Sequence, residues 1–286
     1  MRNGFTEKLG SFMGSGDSYD DCSLVIIGAP MDFTVSFRPG ARYGPAEIRN
    51  VSEGLEEFSF DLQMDLSQRC YFDAGDIALP FGNVNKSLEC IENTMEILLR
   101  DGKKPVMLGG EHLVSLPAVK KAAEAYPGLV VLHFDAHADL RDNYLGEKFS
   151  HATVMRRIAE LVGGERVFQL GIRSGTREEY QWGKENTCIY PGKIIEPLHD
   201  IINEIKGLPV YISLDIDVVD PAFAPGTGTP EPGGCSSSEI LRALHMLRDI
   251  NVIGMDIVEV CPILDRSQIT SLLAAKLVRD SILLFG

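Results

Sequence analysis

The amino-acid sequence predicts a three-layer α/β/α protein whose central sheet has eight mostly parallel strands. Three observations predict this class. Short apolar, β-branched runs alternate along the chain with amphipathic stretches, which is the pattern of βαβ units. Most of the runs are bounded by Gly, Pro or Asp. No linker, repeat or low-complexity segment divides the 286 residues. We therefore expect one domain over 1–286, with a less ordered N-terminal lead over 1–21.

The predicted elements alternate regularly. Strands are predicted near 24–29, 70–76, 105–109, 129–134, 167–172, 188–190, 210–216 and 252–258. Helices are predicted near 44–58, 84–101, 113–126, 151–162, 177–185, 195–206, 237–249 and 269–284. The second helix shows its pattern well, because Leu88, Ile91, Met95 and Leu98 recur at steps of three and four and so share one face.

Composition restricts the partners and the compartment. The formal net charge of -14 disfavours nucleic acid and anionic lipid and is compatible with a cationic substrate. Six cysteines are scattered without a CxxC pair, which argues against a disulfide framework and a cysteine zinc site. The N-terminus has no apolar signal region, and no apolar run reaches the ~18 residues needed to cross a membrane. We expect a cytoplasmic protein.

Polar residues follow the predicted strands where such sheets place their sites, beyond the carboxyl ends. The run Gly109-Gly110-Glu111-His112 follows one strand, and its glycines permit a sharp turn and a close approach. The run Asp135-Ala136-His137-Ala138-Asp139 follows another. Its three polar side chains share a face when extended, and a modest curl would bring them to one ion.

Two further strand ends carry acidic residues. Asp215 and Asp217 end an apolar strand, where two carboxylates are costly unless a cation neutralises them. Asp220 could be a ligand or could brace the loop before Pro221, and we favour the bracing role. Glu259 lies at the end of the last predicted strand, where it could face solvent, pair with an arginine or bind a ligand.

The number of candidate ligands predicts two metal ions rather than one. The set contains four carboxylates and two imidazoles: His112, Asp135, His137, Asp139, Asp215 and Asp217. One tetrahedral zinc takes about four protein ligands at most, whereas two divalent ions can share bridging carboxylates. Oxygen-rich ligation with two imidazoles suits Mn²⁺, although iron, nickel, cobalt or zinc could occupy the site.

These motifs and their order resemble the ureohydrolase family of arginases and agmatinases over nearly the whole chain. The resemblance rests on GGEH at 109–112, DAHAD at 135–139, SLDIDVVDPAFAPGTGTPEPGG at 213–234 and DIVEV at 256–260. RPGARYGP at 38–45 and GIRSG at 171–175 also match. The resemblance implies an arginase-like fold, two Mn²⁺ per chain and a homo-oligomer, a trimer or hexamer.

The resemblance also assigns roles. One ion would be held by His112, Asp135, Asp139 and Asp215, and the other by Asp135, His137, Asp215 and Asp217. Glu259 would hold the substrate guanidinium, and a hydroxide bridging the ions would attack the guanidinium carbon. Asp139 would pass a proton to the leaving amine, and His151 would relay protons to solvent. An ordinary histidine pKa near 6.5 would suit that relay at physiological pH. His133 is predicted to be a strand or supporting residue, and His199 and His245 helix residues.

Substrate choice depends on Arg141 and the segment after it. Arginases carry an asparagine where this chain has Arg141, and the segment through SHATVMRR is most similar to bacterial agmatinases. The resemblance therefore implies hydrolysis of agmatine to urea and putrescine, a step of polyamine biosynthesis. Arg141 would contact the substrate and could also attract a carboxylate, so 4-guanidinobutyrate stays open. Arginine, formiminoglutamate, another metallohydrolase activity and a binding protein without turnover are further alternatives.

Overall fold

The structure is a computed structural model that describes residues 6, 7, 10–16 and 18–286. Its strands are β1 (Thr6–Glu7), β2 (Leu24–Ala29), β3 (Phe58–Ser59), β4 (Met64–Asp65), β5 (Tyr71–Ile77), β6 (Lys104–Gly109), β7 (Val130–Phe134), β8 (Val167–Leu170), β9 (Cys188–Tyr190), β10 (Val210–Asp215) and β11 (Val252–Val258). Its α-helices are α1 (Gly44–Ser52), α2 (Val84–Arg100), α3 (Ser115–Ala125), α4 (Val154–Val162), α5 (Arg177–Asn186), α6 (Ile195–Glu204), α7 (Ser237–Met246) and α8 (Ile269–Phe285).

The central sheet confirms the predicted fold class. Its order is β1-β5-β2-β6-β11-β10-β7-β8-β9, and the eight strands from β5 to β9 pair in parallel. The short edge strand β1, which pairs antiparallel with β5, was not predicted. Neither was the small hairpin of β3 and β4. Both pieces have only two residues per strand, too few to show a periodic pattern.

Apolar side chains on alternate strand positions fill both faces of the sheet. In β2, Leu24 and Ile26 pack in one hydrophobic cluster and Val25 and Ile27 in the other. The first cluster includes buried residues of α1, α6, α7 and α8, and the second those of α2, α3 and α4. These two clusters make the helix–sheet–helix layers. Among the described residues, no helix combines the length and hydrophobicity that a bilayer crossing requires.

Helix ends differ from the sequence prediction where local bonds intervene. Helix α1 ends at Ser52 rather than near 58, because the backbone turns there and Ser52 Oγ donates to the carbonyl oxygen of Arg49 at 2.7 Å. The predicted helix over 151–162 begins with a 3-10 turn, His151–Thr153. Part of the predicted N-terminal lead lies outside the described residues, but Phe12 and Met13 within it are buried in the core.

One disulfide was not expected from the scattered cysteines. Cys22 and Cys70 are bonded, with their Cα atoms 5.0 Å apart. They precede β2 and β5, which are neighbouring parallel strands, so the sheet brings together residues that lie 48 positions apart in sequence. The other four cysteines are free: Cys90, Cys188, Cys235 and Cys261.

A buried arginine fixes α1 against β5. Arg49 is 3% exposed, and it donates to both carboxylate oxygens of Asp73, at 2.8 and 3.0 Å, and to Asp76. Arg49→Met is expected to lower the free energy of unfolding by about 3–5 kcal/mol, because it leaves buried carboxylates without their cation. Urea unfolding measures this loss. Arg100→Met, at an exposed ion pair with Asp101, is the matched control with an expected loss below about 1 kcal/mol. Equal losses would contradict the buried-pair account.

Candidate functional site

The four strands that carry the sequence motifs lie side by side in the middle of the sheet. Their order is β6-β11-β10-β7, and all run parallel. The residues that follow or end these strands therefore meet at one edge: His112, Glu259, Asp215 and Asp135. Segments that are far apart in the chain thus build a single site.

One imidazole faces three carboxylates. His112 Nδ1 lies 3.0 Å from Asp135 Oδ2, 3.2 Å from Asp139 Oδ2 and 3.3 Å from Asp215 Oδ2. All four side chains are buried, yet His112 Nδ1 makes no well-aligned hydrogen bond with a described residue. A buried nitrogen left without a partner among carboxylate oxygens has the donor set that a divalent cation requires.

A second group shares one of these carboxylates. His137 Nδ1 lies 2.9 Å from Asp217 Oδ2 and 3.6 Å from Asp135 Oδ1. Asp135 therefore directs one oxygen to each group. Asp217 is held in place because its second oxygen accepts from the backbone N–H of Ala136 at 3.1 Å. The geometry joins all six predicted ligands into two adjoining groups.

The curl predicted after β7 occurs at Asp139, which adopts the left-handed backbone conformation. Asp139 has φ 53°, and Glu259, after β11, has φ 62°. Non-glycine residues rarely adopt this conformation, and such strain concentrates at functional sites. The left-handed turn at Asp139 accompanies the approach of its carboxylate to His112, which a straight strand would not allow.

Burial of so much negative charge shifts the pKa values in the site. Burial, and then the charge of Asp135, raise the pKa of Asp139 to about 7. Burial and the neighbouring Asp217 and Asp135 raise the pKa of Asp215 well above its ordinary value. Burial opposes charge on His112, but the surrounding carboxylates hold its pKa above the usual range. The site therefore attracts positive charge.

A chain of hydrogen bonds orients His112 through Nε2, the ring nitrogen that does not face the three carboxylates. Its Nε2 lies 3.0 Å from Ser213 Oγ, and Ser213 Oγ donates to Asp256 Oδ1 at 2.8 Å. Partners of this kind fix the rotation and tautomer of a ligating imidazole. Asp256, which is fully buried, therefore acts on the site through Ser213.

His133 makes a close contact with Asp135. Its Nε2 lies 2.8 Å from Asp135 Oδ2, and its Nδ1 accepts from Gln169 Nε2 at 3.1 Å. Thr187 Oγ1 donates to Gln169 Oε1, which orients the amide. Both ring nitrogens are therefore occupied, and burial lowers the pKa of His133, which keeps it neutral. His133 Nε2 also lies within ligand distance of the His112 and Asp135 group, so its predicted supporting role stays a prediction.

Glu259 lies at the cleft floor with one oxygen anchored. Its Oε1 accepts from the backbone N–H of His112 at 2.8 Å, and its own N–H donates to the carbonyl of Gly110 at 2.8 Å. Burial, and then the charge of Glu111, raise its pKa to about 8. Gly110 is required here, because a Cβ at this position would lie 1.9 Å from the carbonyl oxygen of Met31.

His151 lies beside the cleft in a polar setting that the sequence did not reveal. Its backbone N–H donates to Thr34 Oγ1 at 3.0 Å, and Thr34 Oγ1 donates to the buried Glu111 at 2.8 Å. Ser36 Oγ lies 3.1 Å from His151 Nε2. Burial, together with the charges of His137 and His112, lowers the pKa of His151 to about 4. This corrects the expectation of an ordinary pKa, since the imidazole is neutral at pH 7.

Arginines hold the long 213–234 run over the site. Arg173 donates to the carbonyl oxygens of Asp217 and Glu231, both at 2.7 Å. Arg38 donates to the carbonyl of Gly228 at 3.1 Å. Asp220 accepts from backbone N–H groups of this run, which confirms its bracing role.

A cleft of about 250 Å³ opens onto these groups. Its lining includes predicted residues, namely His112, His137, Asp139, Arg141, His151, Asp215 and Glu259. Sequence reasoning missed Ser36, Tyr144, Ser174, Thr176 and Glu179, which also line it. Of these, only Ser174 and Thr176 had a signal, since they lie in or beside the GIRSG run.

Comparison with known proteins gives the family of the chain. A family model described as Arginase family matches residues 22–284. The chain is 50% identical to an agmatinase of Bacillus anthracis over 275 residues, 95% of each chain. It is 48% identical to an agmatinase of Bacillus subtilis (strain 168) over 277 residues, 96% of each chain. A solved chain from Clostridium difficile has a TM-score of 0.91 at 39% identity, covering 93% of this chain and 98% of that one. This chain belongs to the arginase family.

Proposed function

We propose that this protein hydrolyses agmatine to urea and putrescine with two Mn²⁺ ions per chain. The observation that carries the proposal is the convergence of two imidazoles and four carboxylates, of which both imidazoles and two carboxylates line one cleft. The names of the Bacillus relatives, which are nearly half identical over almost the whole chain, support agmatine as the substrate.

The two groups of side chains correspond to two ions. We assign one ion to His112, Asp135, Asp139 and Asp215, and the other to His137, Asp135, Asp217 and Asp215. The distances from His112 Nδ1 support the first set, and the two directions of Asp135 support its bridging role. The chemistry that such ions supply when bound is activation of water near neutral pH.

Glu259 is suited to hold the guanidinium. One oxygen is anchored by His112, so the other is available to accept N–H groups in a charge-assisted pair. Burial opposes its charge, and a bound guanidinium would restore the ionised form. The guanidinium of the substrate thereby replaces the proton on Glu259. Its carbon is then oriented over the carboxylates at the bottom of the cleft.

Proton transfer falls to Asp139 and His151. Asp139 both belongs to the first group and lines the cleft, so it can pass a proton to the departing amine. His151 lines the same cleft as Asp139, so it can relay protons between the site and solvent. Ser36 Oγ, 3.1 Å from its Nε2, offers the next step toward solvent.

His151→Phe is expected to lower turnover by about 10²-fold while the Mn²⁺ content stays unchanged, because it removes the relay and no ligand. Urea release and elemental analysis measure the two quantities. His199→Phe changes an exposed histidine of α6 and is the control with unchanged turnover. An unchanged rate in His151→Phe across pH 6–9 would remove the relay role.

The substrate assignment is tested by urea release after manganese loading. Agmatine, arginine, 4-guanidinobutyrate and formiminoglutamate are compared at equal concentration, with release of formamide measured for the last. Agmatine is expected to give the highest kcat/KM. A higher value for another compound would replace agmatine, and no product from any of them would favour a binding protein. Assembly into a trimer or hexamer stays part of the proposal, and native mass measurement decides it.

A further inference from the structure

An ion pair that includes none of the proposed ligands lines the cleft. Arg141 Nε lies 3.5 Å from Glu179 Oε2, and the two side chains are 38% and 5% exposed. Both residues line the same cleft as the buried Glu259. Arg141 and its neighbour Tyr144 are partly exposed whereas Glu179 is buried, so Arg141 is the solvent-facing member of the pair.

Both members of the pair are held in place. Glu179 Oε1 accepts from the backbone N–H of Leu140 at 3.1 Å, and its Oε2 accepts from that of Thr176 at 2.8 Å. The guanidinium carbon of Arg141 lies 4.9 Å from the ring centroid of Tyr144. The arginine is therefore positioned between an aromatic face and a fixed carboxylate.

The pair matters because the proposed substrate carries a second positive charge. Agmatine ends in an ammonium group, which an unpaired Arg141 in the same cleft would repel. Glu179 supplies the opposite charge next to Arg141. A guanidine that ends in a carboxylate would instead be attracted by Arg141 and repelled by Glu179.

We propose that Glu179, by offsetting the charge of Arg141, sets which terminal group the enzyme accepts at the far end of the guanidine. This inference rests on the proposed function. In it Glu179 is a specificity-determining residue, and specificity arises from repulsion as much as from attraction. The same cleft without the Glu179 charge would prefer an acid-ended guanidine.

The test compares three guanidines with four-carbon chains that differ in the terminal group: agmatine ends in an ammonium, butylguanidine in a methyl group and 4-guanidinobutyrate in a carboxylate. In Glu179→Gln the ratio of kcat/KM for agmatine to that for 4-guanidinobutyrate is expected to fall at least about tenfold, mainly through KM. In Arg141→Gln the ratio is expected to rise. Butylguanidine, which is neutral at its far end, reports damage common to all three substrates.

Control experiments distinguish the effect of the Glu179 charge from its structural role as a helix cap. Glu178→Gln removes a carboxylate from the same first turn of α5, but Glu178 is exposed and is not part of the cleft lining, so the ratio is expected to change much less than in Glu179→Gln. Both shifts are expected to shrink as salt is raised, because the pair is partly exposed. Equal losses for all three guanidines in Glu179→Gln would overturn the proposal and leave Glu179 as a helix cap only.

A second measurement distinguishes failure of the Glu179 proposal from failure of the proposed function. Calorimetry of the manganese-loaded protein gives Kd for the three guanidines without any turnover. If the unsubstituted protein releases no urea, the proposed function fails, and the Kd ratios still decide the role of Glu179. If it releases urea from agmatine but neither ratio moves in either variant, only the role of Glu179 is overturned.

Discussion

Asp215→Ala is expected to lower urea release from agmatine by at least about 10⁴-fold, because a ligand shared by both ions is lost and each ion contributes several kcal/mol. Elemental analysis is expected to show less Mn²⁺ in the variant. The expected cause is loss of a ligand and not misfolding. Burial and the charges of Asp217 and Asp135 oppose ionisation of Asp215, so in the metal-free protein this carboxyl contributes little charge and its removal is expected to be tolerated.

Thermal unfolding of the metal-free variant therefore separates the two explanations. Its Tm is expected to be no lower than that of the unsubstituted metal-free protein. Asp220→Ala is the matched control, since Asp220 follows in the same run but accepts only backbone N–H groups among the described residues. It is expected to keep its Mn²⁺. Full manganese and normal turnover in Asp215→Ala would remove Asp215 from the ligand set.

Glu259→Gln is expected to lower kcat/KM for agmatine by about 10³-fold, roughly 4 kcal/mol, without changing the Mn²⁺ content. The amide can still accept from the N–H of His112, so the fold of the segment is kept. Its NH₂ group, however, would face a guanidinium that has only donors. Steady-state kinetics and elemental analysis measure the two effects. Near-normal rates would show that Glu259 does not hold the substrate.

Proton release on substrate binding distinguishes loss of the Glu259 carboxylate from general damage to the Glu259→Gln variant. Because burial and Glu111 raise the pKa of Glu259 to about 8, the carboxyl of the metal-free protein is protonated below that pH. Binding of a guanidinium must then release a proton. Calorimetry of the metal-free proteins in buffers of different ionisation enthalpy is expected to detect this release in the unsubstituted protein and to find less of it in the variant.

The fold was largely predictable because the signals are local. The strand Leu24–Ala29 is apolar on both faces, and Leu88, Ile91, Met95 and Leu98 are buried together as the helical pattern predicts. The order of the strands is a different matter. It is set by non-local pairing, such as that of β6 with β11 across about 150 residues. Proximity of His112 and Asp215 therefore had to come from the family resemblance or the structure.

Supporting residues were the hardest to predict. Glu111 lies in the GGEH run, yet its link through Thr34 to His151 joins three segments and leaves no pattern in any one of them. Glu179 reads as an ordinary capping residue of α5, which it also is. The lowered pKa of His151 likewise results from burial and distant charges. Roles that depend on packing between segments cannot be inferred from spacing within one segment.

The proposed function depends on the two adjoining groups around His112 and His137. The most direct measurement is the manganese content of the unsubstituted protein after loading and removal of free metal. We predict two Mn²⁺ per chain, with magnetic coupling between them visible by electron paramagnetic resonance, because Asp135 directs an oxygen to each group. A protein that retains a single isolated ion, or none, would contradict it.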